Sequence, residues 1–268
     1  PPQPLPEAPQ RRAVVHLGSR VELQPRGCPF GQPFFALVAR STQDALVLFA
    51  RRPAGRVKTR LIPPLTPAEA LSFHVACLES TLRLAASLPR SIDTWLYFTP
   101  GNRRSLPRKP VRVPRRVRVR RQRGRDLGGR LRRALAERLA GGTRRVVFIG
   151  SDSPTLTPGR LRQAFVALRR ANAVLGPARD GGFYLLGLRV EGGAPPAVFR
   201  GIAWGTPRAF RQMRARLRAT GLRTMVLPLE YDVDLPADLV RLRRDLRRNR
   251  RPQLAPLRAW FAGQAKSN

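Results

Sequence analysis

Several stretches of this 268-residue chain place acids, cations and glycines where they could handle phosphate and metal. Two apolar runs each lead into an aspartate. Val146-Val147-Phe148-Ile149-Gly150 runs into Ser151-Asp152-Ser153-Pro154, and Ala173-Val174-Leu175-Gly176-Pro177 runs into Ala178-Arg179-Asp180-Gly181-Gly182. Acids are scarce, 16 Asp and Glu against 52 Lys and Arg, so a carboxylate directly after a buried strand is not there for solubility. In open α/β sheets ligands sit just beyond the carboxyl ends of strands. Carboxylates acting with phosphate oxygens hold Mg2+ or Mn2+ using only one or two protein ligands. Asp152 is therefore the first candidate metal ligand. In Tyr231-Asp232-Val233-Asp234 the two acids share a face if the segment is extended, and they could close the same site. Plainer roles compete: Ser153 could cap the following turn, and Asp234 could cap a helix beginning at Pro236.

Cations gather after an earlier apolar run, in Arg51-Arg52-Pro53-Ala54-Gly55-Arg56-Val57-Lys58-Thr59-Arg60-Leu61. Gly55 gives the loop backbone freedom, and positive charges at 56, 58 and 60 can wrap a polyphosphate. The loop lacks the Gly-Lys-Ser/Thr ending of a P-loop. Lys58 stands out because only three of the 52 basic residues are lysine; the other 49 are arginine. A lysine in such a chain suggests a need for a compact ammonium. Gln122-Arg123-Gly124-Arg125-Asp126-Leu127-Gly128-Gly129 offers glycines at the start of a helix, where backbone N–H groups can approach an anion, or else Asp126 simply caps that helix. In Asp180-Gly181-Gly182-Phe183-Tyr184 the glycines clear space beside the acid and the aromatics can wall a pocket, while Asp-Gly is equally a turn dipeptide.

The elements that must position these residues follow from periodicity. Ala45–Ala50 is a continuous apolar run suited to a central parallel strand. Thr66-Pro67-Ala68-Glu69 carries a capping box and opens a helix striped by Leu71, Val75, Leu78 and Leu82. Further strands are predicted at 94–98, at 111–119 (from alternating valines), at 146–150, 173–176, 183–188 and 224–229. Helices are predicted at 127–139, 158–170, 207–219 and from Pro236 onward. Alternating strands and helices predict an α/β fold, three layers with a mostly parallel central sheet. Residues 1–44, rich in proline, are expected to be a loosely packed leader; 45–250 form the folded domain and 251–268 a C-terminal tail.

Composition excludes several classes. Cys28 and Cys77 are too few for a disulfide framework or a cysteine metal site, and Cys77 is expected to pack along a helix. His16 and His74 are the only histidines, which argues against a Ser-His-Asp triad or a histidine zinc site. No apolar run is long enough to span a bilayer, and a cytoplasmic location is expected. The net charge of +36 invites a polyanion-binding reading. The arginines, however, are spread over nearly every helix, which argues against specific nucleic-acid recognition.

Taken in order, these stretches resemble the bacterial GT-A-fold family of nucleotide-diphospho-sugar transferases. The matching runs are Phe49–Leu61, Gly150–Leu156, Gly176–Leu188, Ile202–Thr206 and Asp232–Leu239, covering roughly residues 45–240. More distantly the chain is similar to the guanylyltransferases of molybdenum-cofactor and phospholactate chemistry. Two positions depart from the family pattern: Arg125 stands where a small residue is usual, and Phe183 replaces a tyrosine. The resemblance implies a metal-dependent transferase using Mg2+ or Mn2+ and a nucleotide or nucleotide-sugar. Glycosyl transfer to an unidentified acceptor leads, with nucleotidyl transfer and pyrophosphate release as the alternative. It further implies Lys58, Arg60 and Asp180 in catalysis. Gly55, Lys58, Thr59, Arg60, Gly128, Asp152, Gly181 and Gly182 would lie on the nucleotide, and Asp152, Asp232 and Asp234 on the metal.

Overall fold

A computed structural model describes residues 42–53, 56–99, 111–191 and 197–265. Seven strands form one sheet: β1 (Asp44–Ala50), β2 (Ile92–Phe98), β3 (Val117–Arg121), β4 (Arg145–Ile149), β5 (Ala173–Pro177), β6 (Phe183–Arg189) and β7 (Thr224–Val226). Their order across the sheet is β3-β2-β1-β4-β6-β5-β7. All pairings are parallel except those of β6, which runs against both β4 and β5. This is the three-layer α/β/α, mostly parallel arrangement expected, with the returning strand inserted between two that precede it.

The apolar runs explain the layering. β1 is covered on both faces, so nearly every position is apolar. Leu46 and Leu48 face one side, with Leu78 and Leu82 of α1 (Pro67–Ala86) and Leu161 and Phe165 of α3 (Pro158–Ala167). Ala45 and Val47 face the other, with Leu131 and Leu135 of α2 (Leu127–Ala140) and Met213 and Leu217 of α4 (Ala209–Ala219). Each such side chain, fully buried, contributes on the order of 1.5–3 kcal/mol of transfer free energy. The predicted capping box is present: Thr66 Oγ1 accepts from Glu69 N at 3.2 Å, and Glu69 Oε2 accepts from Thr66 N at 2.7 Å.

Three expectations change in detail. The valine alternation overstates β3, since Val111 and Val113 are buried in a loop ahead of it and only 117–121 pair with β2. The predicted strand to residue 229 stops at Val226, because Pro228 has no N–H for a ladder. The tail beyond 251 carries α6 (Ala255–Gln264), which follows α5 (Pro236–Arg248) and packs on α1. Trp260 packs at a tilt against Phe73, 4.9 Å between ring centroids, and donates to Ser72 Oγ at 2.8 Å. The leader up to residue 41 and Gly55 lie outside the described residues.

Candidate functional site

The sheet order reverses direction at β1, whose neighbours are β2 on one side and β4 on the other. The loops leaving β1 and β4 lead to α1 and α3, and the carboxyl ends of these neighbouring strands bound a crevice, the usual place for a ligand in such sheets. A cleft of about 550 Å3 occupies it, floored by Phe49, Phe148 and Leu186 and walled by Arg51, Lys58, Asp152 and Asp180, among others. The floor is held by aromatic packing: Phe49 lies 5.7 Å from Tyr97 and 5.8 Å from Phe148, centroid to centroid.

Lys58 is the centre of the charged wall. It is the only non-glycine with positive φ among the described residues (φ 49°, ψ 38°), a conformation uncommon for a side-chain-bearing residue. That turn sends its side chain inward, where it is 5% exposed. The ammonium meets three oxygens: Asp152 Oδ1 at 2.5 Å, Val233 O at 2.7 Å and Asp234 Oδ1 at 2.9 Å. An ammonium has three hydrogens, so each is matched by protein. Burial acts against the charged lysine, but Asp152 and then Asp234 outweigh it and hold its pKa above the ordinary range. Burial likewise acts to raise Asp152, and the Lys58 ammonium overrides it, holding this carboxyl below the usual range. The Asp152 side chain remains 49% exposed to the cleft.

The segment carrying Asp232 and Asp234 reaches this place through backbone bonds. Val233 N donates to Asp152 O at 2.9 Å, and Glu230 N donates to Pro177 O at 3.1 Å. As the extended pattern predicts, Val233 is fully buried while its acidic neighbours turn toward the charged cluster. Asp234 is not the helix cap. Asp238 Oδ2 accepts from Leu235 N at 2.8 Å and from Asp234 N at 3.1 Å, which satisfies the start of α5 and leaves the Asp234 carboxylate for Lys58. The Ser153 hydroxyl donates to Asp232 Oδ1. Burial, reinforced by Asp152, Asp180 and Asp234, pushes the Asp232 carboxyl up to about 7 against the opposing pull of that hydrogen bond.

Asp180 stands exposed on the cleft wall in a turn of its own making, its Oδ1 accepting from Gly182 N at 2.8 Å. Gly181 has φ +83° and faces the Pro207 carbonyl so closely that no Cβ would fit. Its N–H and C=O are bonded to Ala178 and Phe210, so the turn is docked on the start of α4. Arg60 and Thr59 are exposed, Thr59 opening a short 3₁₀ turn, Thr59–Leu61, and both line the cleft. Gly181, Gly182 and Gly128 do not form its wall. A Cβ on Gly128 would stand 2.8 Å from both Phe199 O and Trp204 Nε1, so its smallness serves packing between α2 and the segment before α4. Asp126 takes the plainer of its two roles, accepting from Gly129 N at 2.7 Å as the cap of α2.

Sequence reasoning missed several residues of the wall. Thr99 and Gln122 follow β2 and β3 as Asp152 follows β4, so the same strand-end rule points to them. Gln122 Nε2 donates to Tyr97 O at 2.8 Å and to Ala50 O at 3.3 Å, tying three strand ends together. His74, on α1, is buried and also lines the cleft. Its Nε2 lies 3.1 Å from the Arg51 carbonyl oxygen, and burial lowers its pKa. One turn further along the same helix, burial pushes the Cys77 thiol up to about 12, which makes it an unreactive packing residue.

Among the described residues no group of three His, Cys, Asp or Glu side chains is arranged to hold a metal. Asp234 and one Asp152 oxygen are engaged by Lys58. Burial first, and its acidic neighbours after it, hold the Asp232 carboxyl up; once it ionises, it and the exposed remainder of Asp152 are a donor set suited to a divalent ion that also takes ligand phosphate oxygens.

Comparisons with known proteins place the chain among relatives. The family described as "uncharacterized protein conserved in bacteria (DUF2064)" matches residues 81–206. Among solved structures, a provisionally named nucleotide-diphospho-sugar transferase from Desulfovibrio desulfuricans G20 is 30% identical; 82% of this chain and 96% of that one are covered, with a TM-score of 0.71. A cytidylyltransferase from Leptospira borgpetersenii is 10% identical over 84% of this chain and 95% of that chain (TM-score 0.49). The 2-C-methyl-D-erythritol 4-phosphate cytidylyltransferase from Thermus thermophilus is 16% identical over 76% and 99% (TM-score 0.45). No curated protein matches. No helix among the described residues is long and apolar enough to cross a membrane.

Proposed function

This chain belongs to the DUF2064 family of bacterial proteins, and from that membership and the cleft we propose that it is a transferase moving a glycosyl group from a nucleoside-diphosphate sugar to an acceptor. The observation that carries this reading is the juxtaposition, at the β1/β4 crevice, of a half-exposed Asp152 with cations and further carboxylates that the fold has drawn from distant parts of the sequence. A cytoplasmic location is part of the same proposal.

The residues divide the work. Lys58 holds Asp152 and Asp234 in place, a clasp rather than a free phosphate ligand, since its hydrogens are already matched. Arg51 and Arg60, exposed on the cleft wall, bind the diphosphate and offset charge developing on it as the leaving group. Asp180, exposed and held by Gly182 N, accepts the proton of the acceptor hydroxyl. Phe183 and Tyr184 wall the ligand pocket beside it. Asp152 and Asp232 would hold Mg2+ or Mn2+ together with ligand phosphate oxygens. When bound, such an ion stabilises the negative charge of the departing diphosphate.

A thermal-shift screen of nucleoside diphosphates, triphosphates and nucleotide-sugars with and without Mn2+ tests the binding half, because ligands of the native state raise apparent stability. The expected result is a metal-dependent shift with one nucleotide-sugar that disappears in Asp152→Ala. No shift with any nucleotide, or a shift untouched by that substitution, overturns the assignment. Product analysis tests the chemistry: pyrophosphate released from a triphosphate, in place of a nucleoside diphosphate from the sugar donor, replaces glycosyl with nucleotidyl transfer.

A further inference from the structure

Across the first turn of α2 from the cleft lies a second hollow, of about 510 Å3, whose walls include Arg123, Arg125, Arg132 and Arg133. Elsewhere arginines are engaged, as where Arg118, Arg120 and Arg138 lie over the Trp95 ring or where Arg145 pairs with Asp44; here four exposed arginines line one space. Gathering like charges gives the fold nothing, since each repels the others. Among the described residues no ion pair joins Arg123, Arg125 or Arg132 to an acid, and Arg133 has only Glu137, at 4.0 Å. Asp126, the one acid on the wall, already accepts from Gly129 N, so the helix's leading N–H and this carboxylate satisfy each other. The binding potential of the hollow lies in side chains, not in the helix terminus.

The turn that brings Arg123 and Arg125 against α2 depends on a glycine. Gly124 has φ +142°, and a Cβ there would stand 2.6 Å from Arg130 N and 2.7 Å from Gly129 C. The turn can lie this close to α2 only with glycine between Arg123 and Arg125, and Arg130 Nε fastens it by donating to Gly124 O at 3.3 Å.

We propose that this hollow is a second anion site, which binds a soluble ligand bearing a phosphate group through Arg123, Arg125 and Arg132. Guanidinium forks match phosphate oxygens two at a time, and several converging forks give more than a single surface cation does. The site shares a wall with the cleft, since Leu127, Arg130 and Leu131 of the same helical turns line the cleft side. It stands independently of the transfer reaction proposed above.

Titration calorimetry with inorganic phosphate and with tripolyphosphate, repeated at several salt concentrations, tests it. Three variants are needed. The first combines Arg123→Gln, Arg125→Gln and Arg132→Gln. The second removes the same charge from exposed positions of α4 through Arg211→Gln, Arg214→Gln and Arg218→Gln. The third is Asp152→Ala in the cleft. Saturable binding weakened about tenfold or more by the first and less than about twofold by the other two supports the site. Equal losses in the two arginine variants mean unspecific charge attraction and overturn it. So does absence of saturation, or binding seen only with phosphatidylglycerol vesicles. Should the triple variant misfold, Arg123→Gln alone keeps the test, with a loss of about threefold expected against no change for Arg211→Gln.

Discussion

The cleft and the hollow on the other side of α2 are both charged, yet they are built on opposite principles. In the cleft, Asp152 and Asp234 close on one buried ammonium, while Ser153 bonds Asp232 and Gly182 N bonds Asp180, so each acid has a bonded place. In the hollow, arginines share a space with almost no counter-charge and stand in solvent. The first is an electrostatic lock whose members depend on one another; the second is a set of interchangeable cations around a void. Charge alone does not make a site, and the way each charge is held decides what its removal costs.

The largest effect should come from breaking the lock. Lys58→Met leaves Asp152 and Asp234 facing each other without a cation. Removing one partner of a fully buried pair costs about 3–5 kcal/mol; because both carboxylates are partly exposed here, a loss of roughly 2 kcal/mol is expected in urea unfolding. The Arg123→Gln, Arg125→Gln, Arg132→Gln variant removes three charges and should move the same midpoint by less than about 0.5 kcal/mol per residue. Equal costs would erase the distinction between the two regions.

Next in size is Gly181→Ala. The positive φ and the nearby Pro207 carbonyl predict a loss of about 1–3 kcal/mol, with detachment of the Asp180 turn from α4 visible as faster amide exchange at Phe210. A further effect depends on pH. The folded-state pKa of Asp232, about 7, lies above that of an unfolded aspartate, so the native state binds this proton more tightly. The Asp232 contribution to stability is therefore fully present at acid pH and lost as pH rises from about 4 to about 7. Asp232→Asn should flatten that part of the Tm-versus-pH curve and raise Tm at pH 8; an unchanged slope would show that Asp232 ionises freely. The smallest effect is chemical: Cys77 should resist alkylating reagents at pH 8 until the protein is unfolded.

Much of the fold was legible because burial on two faces demands unbroken apolar runs, and β1, β2, β4, β5 and β6 each have one. The capping box of α1 announced itself residue by residue. What periodicity cannot carry is direction and partnership. Nothing in Phe183–Leu188 says that the strand inserts antiparallel between β4 and β5, since that choice depends on the short turn at Asp180. Asp152 and Asp180 were found by the strand-end rule and Asp232 and Asp234 by their shared face in an extended segment, but their partners were not. That Lys58 turns inward depends on a left-handed backbone at one residue. That Asp234 is free to meet it depends on Asp238 capping α5 in its stead. Arg125, out of place as a phosphate-loop residue, finds its setting only when Gly124 folds it against α2.

The bond from Lys58 to Val233 joins positions 175 residues apart. During synthesis the ribosome releases β1, β2 and β4 well before the Asp232–Asp234 segment exists, so Lys58 and Asp152 are made long before the other two oxygens that the ammonium meets. The nascent chain thus carries its sheet early and its working centre late. A protein truncated just after β6 would retain most of its strands and most of the cleft wall, while lacking the segment that brings Asp232 and Asp234 to it.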